Sequence, residues 1–190
     1  MTSLPDDIHK DIYELTTYNV GQLSYKEYEI IAKTLLDMSC CNFLSFSTGK
    51  DVPLWLKINN SGKNVFLEHD NYWVTKTKEL CPSAIVHKVT YNTMIKNAVH
   101  YYTDPRSLTI VNLPGYIRDT DWDIIFIDGP TGYNSECPGR FQSIWEASKF
   151  NAKHVFIHDI DRTVEKTCAN LFFSSYEKRT QIDRMLYLCQ

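Results

Sequence analysis

Hydrophobic positions along the chain fall into short continuous runs, separated by stretches where apolar residues recur at helical spacing. The runs at 41–46, 65–67, 84–89, 122–127 and 154–157 are largely apolar with little alternation. Both faces of such segments must be covered, as in the inner strands of a parallel sheet. Tyr28, Ile31, Ala32, Leu35 and Leu36 mark an amphipathic helix ending near Met38, and Ser24 followed by Glu27 is a capping-box signature at its start. Further helices are predicted over 51–60, 71–80, 141–150 and 162–173, and 91–102 has mixed helical character. The run 107–112 is strand-like, and 182–188 reads as a last strand. Residues 1–23 are polar, with Leu15, Val20 and Leu23 too sparse to define a face. They are expected to be partly irregular and are a candidate cover for an acceptor site. Helix, then strand and helix in repetition over 24–190, is the grammar of one doubly wound α/β domain with a mostly parallel sheet.

The chemistry sits at the carboxyl ends of these strands, the edge at which open α/β sheets bind ligands. The run 122–127 stops at Asp128, and Gly129, Pro130 and Gly132 then forbid an immediate helix. Asp128 and Tyr133 are thereby directed into the crevice, unless Asp128 only caps the next helix. The first strand closes on the small residues Ser47, Thr48 and Gly49, and Glu68 ends the second about 20 residues later. A carboxylate in that register offers acceptors for both hydroxyls of a ribose. The turn lacks the Gly-x-Gly-x-x-Gly pattern that cradles a pyrophosphate, so a nucleoside without phosphates is preferred to a dinucleotide. After 154–157 comes His158-Asp159-Ile160-Asp161-Arg162, again at the ligand edge. Arg140 stands in the first turn of a helix, against the helix dipole. Either it holds a ligand carboxylate through its planar fork, or it pairs with Asp128 or Asp159. Asp119, Asp121 and Asp123 read as a solvated turn rather than a calcium loop, which would need a glycine.

Composition narrows the classes. A length of 190 residues with 43% apolar and 13% aromatic residues suits a single globular core. A net charge of −3, with no basic stripe and no Asp-Pro-Pro-Tyr-like motif, gives no basis for a nucleic-acid or anionic-membrane partner. No apolar run approaches the roughly 20 residues of a membrane span, so the expected location is cytoplasmic. The six cysteines show neither Cys-x-x-Cys pairs nor zinc spacing and are read as reduced.

The strings CNFLSFSTGKDVPLW, VFLEHD, WDIIFIDGPTGY, PGRF and VFIHDIDRTVEK, in that order, resemble the polysaccharide-biosynthesis domain family that includes the plant glucuronoxylan 4-O-methyltransferases. The resemblance covers most of the chain. It implies a Rossmann-like class I methyltransferase with a seven-stranded sheet, using S-adenosylmethionine to methylate a sugar hydroxyl. Carried over by position, it implies that Phe46, Gly49 and Asp51 line the methionine and adenosine side, Glu68 takes the ribose, and Asp128 with Gly129 faces the sulfonium. Two departures stand out: the family usually has Gly-Leu-Gly-His-Asp where this chain has Ser47, Thr48, Gly49, Lys50 and Asp51. The plant members also carry a membrane anchor for the Golgi lumen, and none is expected here, so neither xylan nor that compartment is inherited.

Methyl transfer to an alcohol requires oxygen, carbon and sulfur in line and a base for the hydroxyl proton. Asp128 and Asp159 are the favoured bases, with His158 as an orienting group, a proton relay or itself a base. Tyr133, Arg140, Asp161 and Arg162 are candidate substrate contacts, the arginines for a uronic-acid carboxylate. Asp128, His158, Asp159 and Asp161 also make a candidate set of ligands for a divalent metal that would acidify the hydroxyl. The expected partner is a carbohydrate acceptor. Two alternatives stand beside this: a metal-dependent O-methyltransferase of small molecules on the same fold, and a non-catalytic binding or scaffold member, for which Ser47 and Lys50 speak.

Overall fold

The computed structural model describes residues 3–18 and 22–190. Two helices lead, α1 (Asp6–Tyr18) and α2 (Tyr25–Met38), followed by strand β1 (Asn42–Phe46), helix α3 (Val52–Ile58), β2 (Lys63–Glu68), α4 (Asn71–Leu80) and β3 (Ile85–Lys88). Short helices α5 (Ala98–Thr103) and α6 (Gly115–Arg118) precede β4 (Ile124–Ile127), α7 (Phe141–Ser148), β5 (His154–Ile157) and α8 (Thr163–Phe172). A terminal hairpin of β6 (Lys178–Ile182) and β7 (Met185–Cys189) completes the sheet. The strand order is β3-β2-β1-β4-β5-β7-β6. The first five strands in that order are parallel, and β7 is antiparallel to both β5 and β6.

The inner strands lack polar alternation because both faces are covered. On one face Phe43, Phe66, Ile124, Phe126 and Phe156 meet α1, α2 and α3 through Ile8, Ile12, Tyr28, Ile31, Leu35 and Trp55. On the other, Leu44, Phe46, Val65, Ile125, Ile127, Val155 and Ile157 meet Phe141, Ile144, Val164 and Cys168 of α7 and α8. Connections run outward from β1 to β3 and then restart at β4, so the direction reverses between β1 and β4. That switch point opens a crevice at the carboxyl edge. The register there is level: Phe46 pairs with Leu67 and Ile127, and Ile127 with Ile157. The next residues, Ser47, Glu68, Asp128 and His158, therefore stand in one row.

Three sequence expectations are corrected. The segment read as irregular contains α1, whose Ile8 and Ile12 are buried, as is Leu4 just before it. Its face is narrow, which hid it, and Val20 lies outside the described residues. The run 107–112 is no strand: a 3-10 turn at Pro105–Leu108 leads into irregular chain. Its apolar Leu108 and Ile110 are fully buried, but its backbone is satisfied by side chains. Ile110 N donates to Glu146 Oε1 at 2.7 Å, and Thr109 O and Ile110 O accept from Gln142 and Arg118. The final strand read over 182–188 is a hairpin, with Ile182 ending β6 and Asp183 turning the chain at φ 48°. β6 is an exposed polar edge, so it carries no hydrophobic signal. Asp123 is structural as well, accepting from Asn42 N at 2.9 Å and pairing with Lys153.

Candidate active site

A cavity of about 360 Å³ opens at the switch point, lined by the loops after β1, β2 and β4. Phe46, Gly49, Asp51, Glu68, Asp128, Gly129 and Tyr133 all line it. Gly129 is a glycine for space: a Cβ there would lie 3.0 Å from Phe46 O and from Ser47 Cβ, so a larger residue would press the Asp-Gly-Pro loop against the end of β1. The lining is acidic, with Asp51, Glu68, Asp70 and Asp128, and Lys50 is its one Lys or Arg among the described residues. Trp73, Tyr91 and Tyr133 supply aromatic surface, with Tyr133 exposed at the mouth.

Glu68 is buried and heavily engaged. Its Oε1 accepts from His69 N (2.7 Å) and Asp70 N (2.8 Å), and its Oε2 accepts from Thr48 N and Thr48 Oγ1, both at 3.0 Å. Burial alone would raise its pKa, but these donors and His69 hold the carboxyl below its ordinary range. A ribose hydroxyl can reach Oε2 once the Thr48 hydroxyl turns away. Asp51 shows the opposite balance. Burial and the nearby Asp128 charge push it up to about 6, against a hydrogen bond from Trp55 Nε1. Two carboxylates facing one cavity, one of them raised by burial and by the charge of the other, make a site that gains from receiving a cation.

Behind Asp128 lies a buried network. Arg140 Nη2 donates to Asp128 Oδ1 (2.9 Å) and Asp159 Oδ2 (2.6 Å), and Arg140 also donates to the backbone carbonyls of Asp128 and His158. Of the two readings of Arg140, the ion pair is the one realised; its guanidinium Nη groups hold no open fork for a ligand. His158 Nδ1 donates to Asp128 Oδ1 at 2.8 Å. Burial disfavours the charged imidazolium, but Asp128 and Glu27 overcome that and raise its pKa to about 9. A ring protonated through neutral pH is an orienting cation rather than a proton acceptor. Asp159, at φ 59°, is turned back under the sheet edge and is gripped by Arg140, Arg162 and Arg184. Asp161 lies outside, paired with Arg184. Arg162 pairs with Asp159 at 2.9 Å and is partly exposed. Neither Asp159, His158 nor Arg140 lines the cavity; Asp128 joins the two systems.

Asp128, His158 and Asp159 bring ligand atoms within 4.8 Å of one another. They do not fit a resident metal in this arrangement. The Arg140 guanidinium already bridges the two carboxylates through Nη2, occupying oxygens that a metal would need. The chemistry of the cavity does fit S-adenosylmethionine, a nucleoside with an ammonium, a sulfonium and one carboxylate. The lining offers carboxyl groups for two cations and a lysine, Lys50, for an anion. Residues that sequence reasoning passed over are Thr48, Asp70, Trp73 and Tyr91 in the lining and Glu27 behind His158. Only Glu27 carried a signal, and its capping box accounted for it.

The chain matches the IRX15/IRX15L/GXM family over residues 26–107 and 99–187. It belongs to that family. Among similar proteins is arabinogalactan O-methyltransferase 2 of Arabidopsis thaliana, 31% identical over 210 residues that cover 97% of this chain and 72% of the relative. Glucuronoxylan 4-O-methyltransferase 1 of the same plant is 32% identical over 196 residues, covering 92% of this chain and 70% of the relative. The fold is that of class I methyltransferases. An O-methyltransferase from Bacillus cereus in complex with SAH superposes with a TM-score of 0.54 at 12% identity, covering 98% of this chain and 92% of the other.

Proposed function

We propose that this chain transfers a methyl group from S-adenosylmethionine to a hydroxyl of a sugar, and that the cavity at the β1/β4 switch point is the cofactor site. The observation that carries the reading is Asp128. Its Oδ1 takes both Arg140 and His158, and its Oδ2 has no hydrogen-bond donor among the described residues while the side chain lines the cavity. A carboxylate fixed through one oxygen and open through the other is a group prepared to meet a ligand.

When bound, S-adenosylmethionine supplies a methyl group on a positively charged sulfur. Asp128 Oδ2 would orient the acceptor hydroxyl and take its proton once the oxygen–carbon bond has formed and the methyl–sulfur bond has broken, leaving the neutral thioether. Arg140 and His158 hold the carboxyl below its usual range, which makes Asp128 a weak base toward a free alcohol. It suffices here because a methylated oxygen that still carries its proton is a far stronger acid than any carboxylic acid, so proton transfer follows bond formation. Asp51 and Lys50 hold the amino-acid end, Glu68 the ribose, and Tyr133 at the mouth offers a face for the acceptor ring. The sugar acceptor is supported by the names of the relatives, which act on arabinogalactan and glucuronoxylan.

The test is isotopic methyl transfer onto a panel of arabinogalactan and glucuronoxylan fragments, with Asp128→Asn beside the native chain. Transfer is expected with the native chain and a reduction of about 10²- to 10⁴-fold in Asp128→Asn, the range for removing a positioned base. Cofactor binding with no transfer to any glycan would move the scaffold reading to the front.

A further inference from the structure

We propose that Glu27, on α2 beside the cavity-lining Tyr28 but outside the lining itself, is a positioning residue for this site: acting through His158, it holds Asp128 with Oδ2 turned to the cavity. The proposal rests on the methyl-transfer reading for its kinetic consequence, but not for its geometry.

Glu27 is 1% exposed, and each of its oxygens is fixed. Oε2 accepts from Ser24 N at 2.7 Å, which is half of the capping box, and Oε1 accepts from Arg184 N at 2.8 Å. The box alone needs no burial, since an exposed glutamate can close it at a helix start. What the burial achieves is to bring Oε2 to 3.6 Å from His158 Nε2. That nitrogen is buried and has no other partner. The His158 ring thus lies between two carboxylates, with Asp128 at Nδ1 and Glu27 at Nε2. A ring anchored at only one nitrogen can pivot about that bond, and any pivot carries Asp128 Oδ1 with it. The ion pair with Glu27 at the far nitrogen, longer than a hydrogen bond, opposes that pivot. The other charges facing the ring are Asp159, 3.7 Å from Nδ1, and Arg140, which binds the His158 carbonyl; Arg184 stands against Glu27 and Asp159. Burial and Arg140 oppose a second proton on the ring, and Asp128 and, after it, Glu27 favour one.

The experiment compares Glu27→Gln with Ser24→Ala, which removes the side-chain half of the capping box and the Ser24 bond to Asp183 without touching His158. Readouts are the ¹⁵N shifts of the His158 ring and steady-state kinetics across pH. In the native chain at pH 7.5 both ring nitrogens are expected to be protonated. Glu27→Gln should move the ring shifts toward the neutral form and lower kcat by about 10- to 100-fold, with the cofactor KM nearly unchanged, as small misplacements of reacting groups do. Its alkaline kcat limb should move to lower pH. Ser24→Ala should lower the melting temperature while leaving the ring shifts and kcat as they were. A native His158 found neutral at pH 7.5 overturns the proposal without any variant, and so does a folded Glu27→Gln chain with unchanged ring shifts. If the native chain transfers no methyl group, the ring shifts still decide the coupling, so the two readings fail separately.

Discussion

At the level of single residues the site is a balance between burial and partners. Asp128 and Asp51 line the same cavity, yet one is depressed by Arg140 and His158 while the other is raised to about 6 by burial and by Asp128 itself. A sulfonium or ammonium placed between them should pull the proton from Asp51. S-adenosylmethionine is therefore expected to lose affinity as pH falls from 7 through 6 to 5, by up to about tenfold per unit. S-adenosylhomocysteine, without the sulfonium charge, should lose less, and parallel titrations of both ligands check this. Equal pH dependence would separate Asp51 from the cationic end. Glu68 and Asp128 were legible in the sequence because each ends an apolar run, and a strand's last residue is placed by the strand. The charged residues between strands were not. Arg140 allowed two readings because its neighbours in space, Asp128 and Asp159, come from two different loops, and Glu27 was fully explained by Ser24 three residues away.

At the level of elements, the loops at the switch point depend on close approach between β1 and β4. Gly129→Ala puts a Cβ 3.0 Å from the Phe46 carbonyl, a backbone atom held in the sheet, so relief requires moving the Asp-Gly-Pro loop. A cost of about 1–3 kcal/mol is expected, visible in chemical denaturation, together with weaker cofactor binding because Asp128 moves with the loop. Unchanged stability and binding would show the loop to be more yielding than its packing implies. The inner strands and helices α2, α3, α4, α7 and α8 were readable because periodicity reports burial. The same rule misassigned 107–112, where Leu108 and Ile110 are buried but Glu146, Gln142 and Arg118 satisfy the backbone in place of a neighbouring strand. It missed β6, whose Lys178, Arg179, Thr180 and Gln181 face solvent on the sheet edge. The count of seven strands implied by the family resemblance holds with one member exchanged.

For the whole molecule, the network around Asp159 ties α2, β4, α7, β5, α8 and the terminal hairpin together at one edge of the sheet. Arg140, Arg162, Arg184 and protonated His158 are set against Asp128, Asp159, Asp161 and Glu27. The pKa of His158 is raised from 6.5 to about 9 on folding, so its contribution is fully present below pH 6.5 and is lost as pH rises through about 9. Melting temperature is expected to fall between pH 7 and 9.5, with a flatter dependence in His158→Gln even if that variant is less stable throughout. Equal slopes in the two chains would contradict the raised value.

The cofactor reading is tested most directly by calorimetric titration of the chain with S-adenosylhomocysteine, alongside Glu68→Ala and, as a control for the loop contact, Thr48→Ala. Micromolar binding is predicted for the native chain, with a loss of about tenfold or more in Glu68→Ala, where a charged acceptor of the ribose is gone. Thr48→Ala, which frees Glu68 Oε2 from one donor, should bind at least as well as the native chain. No heat of binding in the native chain, or full affinity in Glu68→Ala, would contradict a cofactor site at the β1/β4 switch point.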